Sequence, residues 1–359
     1  MRIIFRTDSS SKIGGGHLMR CLTLAGEAAR RGHSIHFIVN ADSLTNRVLA
    51  EGHSLTELPP EAHDTEPVPP HANWLTAPWP SDAALTAKVA AKIGADWLVW
   101  DHYGLDARWI EAVRSAAPNI RVLALDDLDD RPLGSDIVLD PAHLATEGRK
   151  FPTPVMLHGS AYALLRPEFS AFRKASLARR DGRVRKVMVT PGMMDAVGLA
   201  PLALEALDGT GLQVEVVMGS KAQSVDRVRA LVAGNPDWTL TLDATDMASR
   251  MSGADLCIGA GGGTSWERCC LGLPTVAVAV ADNQLSGMKI LANNKAAITL
   301  HISEVTAGAL PQAVADVCRQ IEQMSQRAAA LCDGKGAERV FNYVETVNLR
   351  TDLRQGSSE

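Results

Sequence analysis

Apolar residues fall along this chain in short unbroken runs, and the stretches between the runs carry apolar positions every three to four residues. The first run, Ile3-Ile4-Phe5, passes through a polar loop, Thr7-Asp8-Ser9-Ser10-Ser11-Lys12, and three glycines. It then enters a segment with Leu18, Cys21, Leu22, Leu24, Ala25, Ala28 and Ala29 at helical spacing. Arg30-Arg31-Gly32 closes that helix with a basic last turn and a glycine stop. Further runs at residues 34–39, 97–100, 121–125 and 136–139 predict strands, with helices at 43–51 and 82–92 between them. Strands alternating with helices predict a parallel sheet with right-handed crossovers.

The pattern then begins again. Residues 151–181 hold prolines and charges without apolar periodicity, and the run Arg179-Arg180-Asp181-Gly182-Arg183 places a domain boundary at about 178–185. Beyond it, strands are predicted at 186–190, 214–218, 239–242, 255–258 and 275–280. Helices are predicted near 199–207, 225–232 and 246–251, and residues 307–330 are helical in pattern. The predicted fold is α/β with two Rossmann-like domains, residues 1–180 and 181–335. A C-terminal helix and flexible tail, 336–359, follow and are expected to pack back on the N-terminal domain, the last five residues being disordered. Residues 58–80, with seven prolines and the tryptophans Trp74 and Trp79, read as a long loop.

Composition narrows the classes. A chain of 359 residues that is 46% hydrophobic supports two globular cores of ordinary size. A net charge of -5 gives no electrostatic case for nucleic acid or an anionic membrane. The apolar runs are too short to span a bilayer and the N-terminus lacks a signal-peptide layout. A cytoplasmic protein with no membrane association and no obligatory protein partner is expected. The six cysteines form no C-x-x-C pair and have no histidine at ligand spacing, so reduced thiols, no metal and no cofactor are expected. His33, His36, His53, His71, His143 and His158 are scattered and read as surface or packing residues.

Candidate chemistry gathers at strand ends. Gly14-Gly15-Gly16-His17 joins the first strand to the first helix, which puts His17 at a helix N-terminus. Such a turn serves either as a structural cap or as an anion site with a proton acceptor beside it. No Lys-Ser/Thr pair follows as in a P-loop, and Met19 interrupts a dinucleotide fingerprint. A second strand end carries Asp101-His102-Tyr103-Gly104. A second glycine loop, Gly259-Ala260-Gly261-Gly262-Gly263-Thr264-Ser265, precedes Trp266-Glu267. Its amides and the Thr264 and Ser265 hydroxyls suit a pyrophosphate, and Glu267 suits ribose hydroxyls. One glycine loop in each half predicts a phosphorylated ligand in a cleft across which the two domains face each other.

Several of these segments together resemble a known family. Phe5-Arg6-Thr7-Asp8, Gly14-Gly15-Gly16-His17, Met19-Arg20-Cys21-Leu22, Asp101-His102-Tyr103, residues 162–169, Gly261 through Arg268, and Asp282-Asn283-Gln284 resemble the UDP-sugar hydrolases of pseudaminic acid biosynthesis. The resemblance runs from residue 1 to about 300. It implies the two-domain GT-B architecture and cleavage of UDP-2,4-diacetamido-2,4,6-trideoxy-β-L-altropyranose to UDP and the free sugar, without a metal. It further implies that His17 is catalytic, that Tyr103 and Asn283 orient sugar and water, and that Gly14, Gly15, Gly16, Asp8 and Arg20 contact substrate. Gly261, Gly262, Gly263, Thr264, Ser265 and Glu267 would hold UDP, and Gln284 is a further substrate-binding candidate. Pro191-Gly192-Met193-Met194-Asp195 departs from the family's usual Gly-Gly-x-Asp.

The mechanism expected from these residues is attack of water on the anomeric carbon with inversion, His17 accepting the proton. Histidine ordinarily titrates close to neutral pH, which suits it to that task. A GT-B glycosyltransferase, a hydrolysing UDP-sugar 2-epimerase, and a nucleotide-sugar binding protein without chemistry are the alternatives.

Overall fold

The computed structural model describes residues 1–10, 13–40, 45–64, 68–144, 148–151 and 153–356, with side chains through residue 348. Ser11 and Lys12 of the first loop, the start of the helix predicted at residue 43, Pro67, Pro152 and the end of the tail lie outside the described residues. The chain divides into two compact units, residues 1–164 with 336–359, and residues 165–335.

Unit 1 runs β1 (Arg2–Thr7), α1 (Gly16–Arg30), β2 (Ser34–Asn40), α2 (Thr45–Ala50), β3 (Ser54–Leu58), α3 (Trp79–Ile93), β4 (Trp97–Asp101), α4 (Ala107–Ala116), β5 (Arg121–Leu125), β6 (Ile137–Asp140) and β7 (Val155–His158). Its strands form one parallel sheet in the order β3-β2-β1-β4-β5-β6-β7. The apolar runs are continuous because both faces are covered. Trp97 and Val99 join Ile3, Phe5, Leu123 and Leu139 in one core, while Leu98 and Trp100 join Ile4, Val122 and Val138 in the other.

Unit 2 begins with α5 (Pro167–Ala178) and continues β8 (Lys186–Thr190), α6 (Leu199–Leu207), β9 (Gln213–Met218), α7 (Val225–Ala233), β10 (Trp238–Leu242), α8 (Met247–Gly253), β11 (Leu256–Ala260), α9 (Thr264–Cys270), β12 (Thr275–Ala279), α10 (Leu285–Asn293), β13 (Ile298–His301), α11 (Ile302–Thr306), α12 (Leu310–Arg319) and α13 (Ile321–Leu331). Its parallel sheet has the order β10-β9-β8-β11-β12-β13. The last helix, α14 (Gly336–Gly356), returns to unit 1, where Val340, Phe341 and Val344 enter the core beside Leu24 and Ala28. Arg31 pairs with Glu345 of this helix at 2.7 Å.

The division between units falls at residue 164, ahead of the expected 178–185, because α5 is tied into unit 2 through its polar side chains. Arg173 donates to the carbonyls of Cys270, Ala329 and Cys332, and Ser176 to that of Leu271 at 2.8 Å. A segment that reads as a charged linker thus satisfies buried carbonyls. Among the described residues no helix is long and apolar enough to cross a membrane.

Candidate active site

In unit 1 the strand order reverses between β1 and β4, whose register sets Thr7 opposite Asp101. Open parallel sheets bind ligands at the carboxyl ends of strands flanking such a reversal. Gly14 makes the turn after β1 with φ 79° and donates its N–H to the Ser10 carbonyl at 2.7 Å. A side chain would be strained in that conformation, and the amide expected to face a ligand is used inside the loop. Gly15 and Gly16 start α1, which carries His17 in its first turn.

Nδ1 of His17 lies 2.6 Å from Oδ1 of Asp101. A carboxylate only accepts, so this contact keeps the proton on Nδ1 and the lone pair on Nε2. Among the described residues Nε2 has no hydrogen-bond partner. Arg20, one helical turn on and on the same face, donates to both Asp101 oxygens, with Nη2 2.7 Å from Oδ1. Burial works against ionisation of Asp101, but the Arg20 charge and His17 override it and hold the carboxyl well below the usual range. The result is an imidazole oriented by a permanent anion, the second and third members of the base-orienting arrangement that activates oxygen nucleophiles.

Aromatic rings enclose this pair. The Tyr103 ring meets His17 edge-on at 4.5 Å between centroids, and its hydroxyl donates to Asp127. Burial and the Asp127 charge push the Tyr103 pKa up, which keeps the phenol protonated. Trp74 meets His17 edge-on at 5.9 Å and stacks on Tyr103 at 5.5 Å, with His71 4.7 Å from Trp74. Both come from the proline-rich loop, and His71, expected as a surface or packing residue, packs within this aromatic cluster.

Asp8 and His102 lie deeper. Arg6 bridges Asp8 and Asp82 at 2.6 Å each, the Asn40 amide donates to Asp8 at 2.7 Å, and His102 Nε2 is 3.2 Å from Asp8. Asp8 is 1% exposed. The substrate contact expected of Asp8 is therefore corrected: its carboxylate neutralises Arg6 beneath the loop. Arg20, also expected on substrate, is committed to Asp101 and reaches Asp127 at 3.4 Å.

In unit 2 the order reverses between β8 and β11, with Thr190 opposite Gly259. The loop after β11 is braced from within by Arg268. Its guanidinium donates to the Ala260 carbonyl at 2.8 Å, to the Ser265 hydroxyl at 2.9 Å, and to Thr190 and Thr264 at 3.3 Å. A Cβ on Gly259 would lie 2.4 Å from both Arg268 Nη1 and Thr190 Oγ1, so the glycine makes room for that brace. Gly262, Gly263 and Thr264 stay accessible, whereas Ser265 is 3% exposed and turned toward Arg268. Ser265 is thus a structural hydroxyl and not the open phosphate ligand expected of it.

Gln284 accepts the Val280 amide at 3.0 Å and stands beside Gly261 and Gly262, and Asn283 is exposed on the adjoining turn. Glu267 is largely enclosed, with 16% of its side chain exposed. Burial raises its pKa to about 7, against the pull of Arg166, whose nearest nitrogen is 3.8 Å away. The Met193-Met194 turn is rigid through its backbone: Met193 accepts from Gly219, Met194 from Gln223, and Asp195 caps the Leu199 amide at 2.8 Å. Among the described residues no group of three or more His, Cys, Asp or Glu side chains is placed to hold a metal ion.

Two α/β units, each with a parallel sheet, give this chain the fold of GT-B-type proteins. Residues 187–340 match the glycosyltransferase family 28 C-terminal domain. The chain is 24% identical over 312 residues to the spore coat polysaccharide biosynthesis protein SpsG of Bacillus subtilis (strain 168), covering 85% of each chain. In structure it is similar to Acinetobacter baumannii MurG, with a TM-score of 0.67, 16% identity, and coverage of 96% of this chain and 99% of the other. It is also similar to the spinosyn rhamnosyltransferase SpnG complexed with thymidine diphosphate, with a TM-score of 0.60, 16% identity, and coverage of 95% and 100%.

Four contributors escaped sequence reasoning: Asp101 as the partner of His17, Asp127, Arg268 and Trp74. Asp101 stands 84 residues from His17, and only strand adjacency joins them. Arg268 could have been found from its spacing of four residues after Thr264, which sets both on one face of α9.

Proposed function

We propose that this protein transfers the glycosyl group of a nucleotide sugar to an oxygen nucleophile with inversion, His17 serving as general base. The observation that carries the reading is the His17–Asp101 contact, which leaves Nε2 as an unpartnered acceptor. In the step, Nε2 takes the proton of the nucleophile's O–H as its oxygen bonds to the anomeric carbon. The bond from that carbon to the diphosphate oxygen breaks, and its electron pair leaves with the nucleoside diphosphate. Asp101 stabilises the imidazolium so formed. The unit 2 loop is assigned to the nucleotide: the amides of Gly262 and Gly263 and the Thr264 hydroxyl to the diphosphate, and Glu267 to ribose hydroxyls.

The first reading of the nucleophile is an acceptor hydroxyl. It is supported by the match of residues 187–340 to a glycosyltransferase domain and by the glycosyltransferases among the structural neighbours. The second is water, giving hydrolysis of UDP-2,4-diacetamido-2,4,6-trideoxy-β-L-altropyranose. The short segments around Gly14–His17, Asp101–Tyr103 and Gly261–Arg268 favour it, as does His17 itself, only 9% exposed among aromatic rings, where a small nucleophile fits best.

Proton and phosphorus NMR of a panel of UDP- and TDP-sugars, with and without polysaccharide and sugar acceptors, separates the readings. Transfer predicts nucleoside diphosphate release that depends on the acceptor, and hydrolysis predicts release in buffer with an inverted free sugar. An altered configuration at C2 of the product would instead reveal an epimerase. No diphosphate release under either condition contradicts the proposal, and retained anomeric configuration removes direct displacement.

A further inference from the structure

The proline-rich segment between β3 and α3 includes the turn Ala72–Trp74. Here it is pinned where it meets β4. The His71 carbonyl stands so close to Gly104 that a Cβ there would approach it to 2.7 Å, and the Trp74 amide donates to that same carbonyl at 2.9 Å. The short turn Ala72–Trp74 therefore presents its rings from a fixed backbone.

Those rings carry polar atoms that are open to solvent. Among the described residues the Trp74 indole N–H and the His71 ring nitrogens have no hydrogen-bond partner, and none of these atoms is sealed from solvent. Burial lowers the His71 pKa, so the ring is neutral near pH 7 and offers one donor and one acceptor. His71 and Trp74 each pack on Tyr103, at 5.5 Å, and Trp74 reaches His17 at 5.9 Å. Solvent-accessible donors and acceptors set in an aromatic wall beside a base have the character of a ligand site.

We propose that Trp74 and His71 form the sugar-recognition wall of the site: Trp74 covers the C–H face of the pyranose and, with His71, hydrogen-bonds its hydroxyl or N-acyl groups. The inference rests on the nucleotide-sugar reading above. It assigns pyranose recognition in unit 1 to the turn from His71 to Trp74.

The test compares affinities by calorimetry for UDP, UDP-glucose, UDP-N-acetylglucosamine, TDP and a TDP-6-deoxy sugar, in wild type, Trp74→Ala, Trp74→Phe and His71→Phe. The quantity read is the gain in affinity that the sugar adds over its own diphosphate. Trp74→Ala is expected to reduce that gain by about tenfold, the equivalent of about 1.4 kcal/mol, while diphosphate affinity stays within about twofold. Trp74→Phe, which keeps the ring and loses the N–H, is expected to retain most of the gain for deoxy sugars and to lose it for N-acyl sugars. If Trp74 only propped His17, kcat would fall in Trp74→Ala with the sugar gain intact, and that result overturns the inference while leaving the nucleotide-sugar reading standing. Wild-type turnover with no sugar gain in any panel member also overturns it. Absence of both turnover and nucleotide binding in wild type defeats the underlying reading, and the inference with it.

Discussion

The two glycine-rich loops occupy the same place in their units, each following a strand that flanks the reversal of strand order, yet they are built for different work. The unit 1 loop ends in an imidazole fixed by a buried carboxylate, with Arg20 holding that carboxylate ionised. The unit 2 loop has no oriented base. An interior arginine braces it through the Ala260 carbonyl and the Ser265 hydroxyl, and burial raises the pKa of the nearby Glu267 carboxyl to about 7. On the proposed reading, one topological position is furnished for proton transfer in unit 1 and for ligand capture in unit 2, through the side chains beneath each loop.

The sharpest way to break this contrast is Asp101→Asn. Asparagine would donate to Nδ1 or leave its tautomer free, so turnover should fall about 10²–10⁴-fold, the range for general base catalysis, with nucleotide affinity little changed. Steady-state kinetics beside calorimetry checks it. Because Arg20 would lose its buried anionic partner, the melting temperature of unit 1 should also drop.

Phe341→Ala asks whether unit 1 depends on the helix that returns to it. Phe341 is 1% exposed in the core beneath α1, and its truncation should cost about 3–5 kcal/mol. Chemical denaturation followed by hydrogen exchange should show the loss in residues 1–164 and not in 165–335. Uniform loss across the chain would contradict the division into units.

Much of this contrast was legible in the sequence, and what was missed follows a pattern. Short apolar runs such as Trp97-Leu98-Val99-Trp100 disclosed the central parallel strands, because burial on both faces leaves no polar position. The edge strands β3, β7 and β13 were not read, since partly exposed strands of four or five residues carry no continuous run. Residues 165–180 looked like a linker because Arg173, Arg179 and Arg180 read as solvated charges, although they serve buried carbonyls. His17 stood out by its position after three glycines. Its dependence on Asp101 did not, because that pair exists only through the pairing of β1 with β4.

Gly259→Ala sharpens the comparison at the other loop. A methyl group there must displace Arg268 or Thr190, so nucleotide affinity should weaken by about tenfold, roughly 1.4 kcal/mol, with a smaller change in the rate at saturation. An affinity equal to wild type would show that the brace is not needed.

The smallest effect expected is on pH dependence. Glu267 carries a carboxyl raised by burial to about 7, so it is largely protonated below that pH and ionised above it. If the ionised form accepts ribose hydroxyls, affinity for UDP should rise severalfold as pH increases through about 7. Glu267→Gln should flatten the profile. A profile that persists in this variant would assign the dependence to another group.

The proposed division of labour gives the chemistry to the first loop and the nucleotide to the second. Its most direct test is the crossed measurement of turnover and UDP affinity in His17→Gln and Glu267→Gln. His17→Gln is expected to lose about 10²–10⁴-fold in turnover with UDP affinity unchanged, while Glu267→Gln is expected to lose UDP affinity with the rate at saturation largely kept. UDP affinity falling in His17→Gln, with near-normal turnover at saturation, would contradict it.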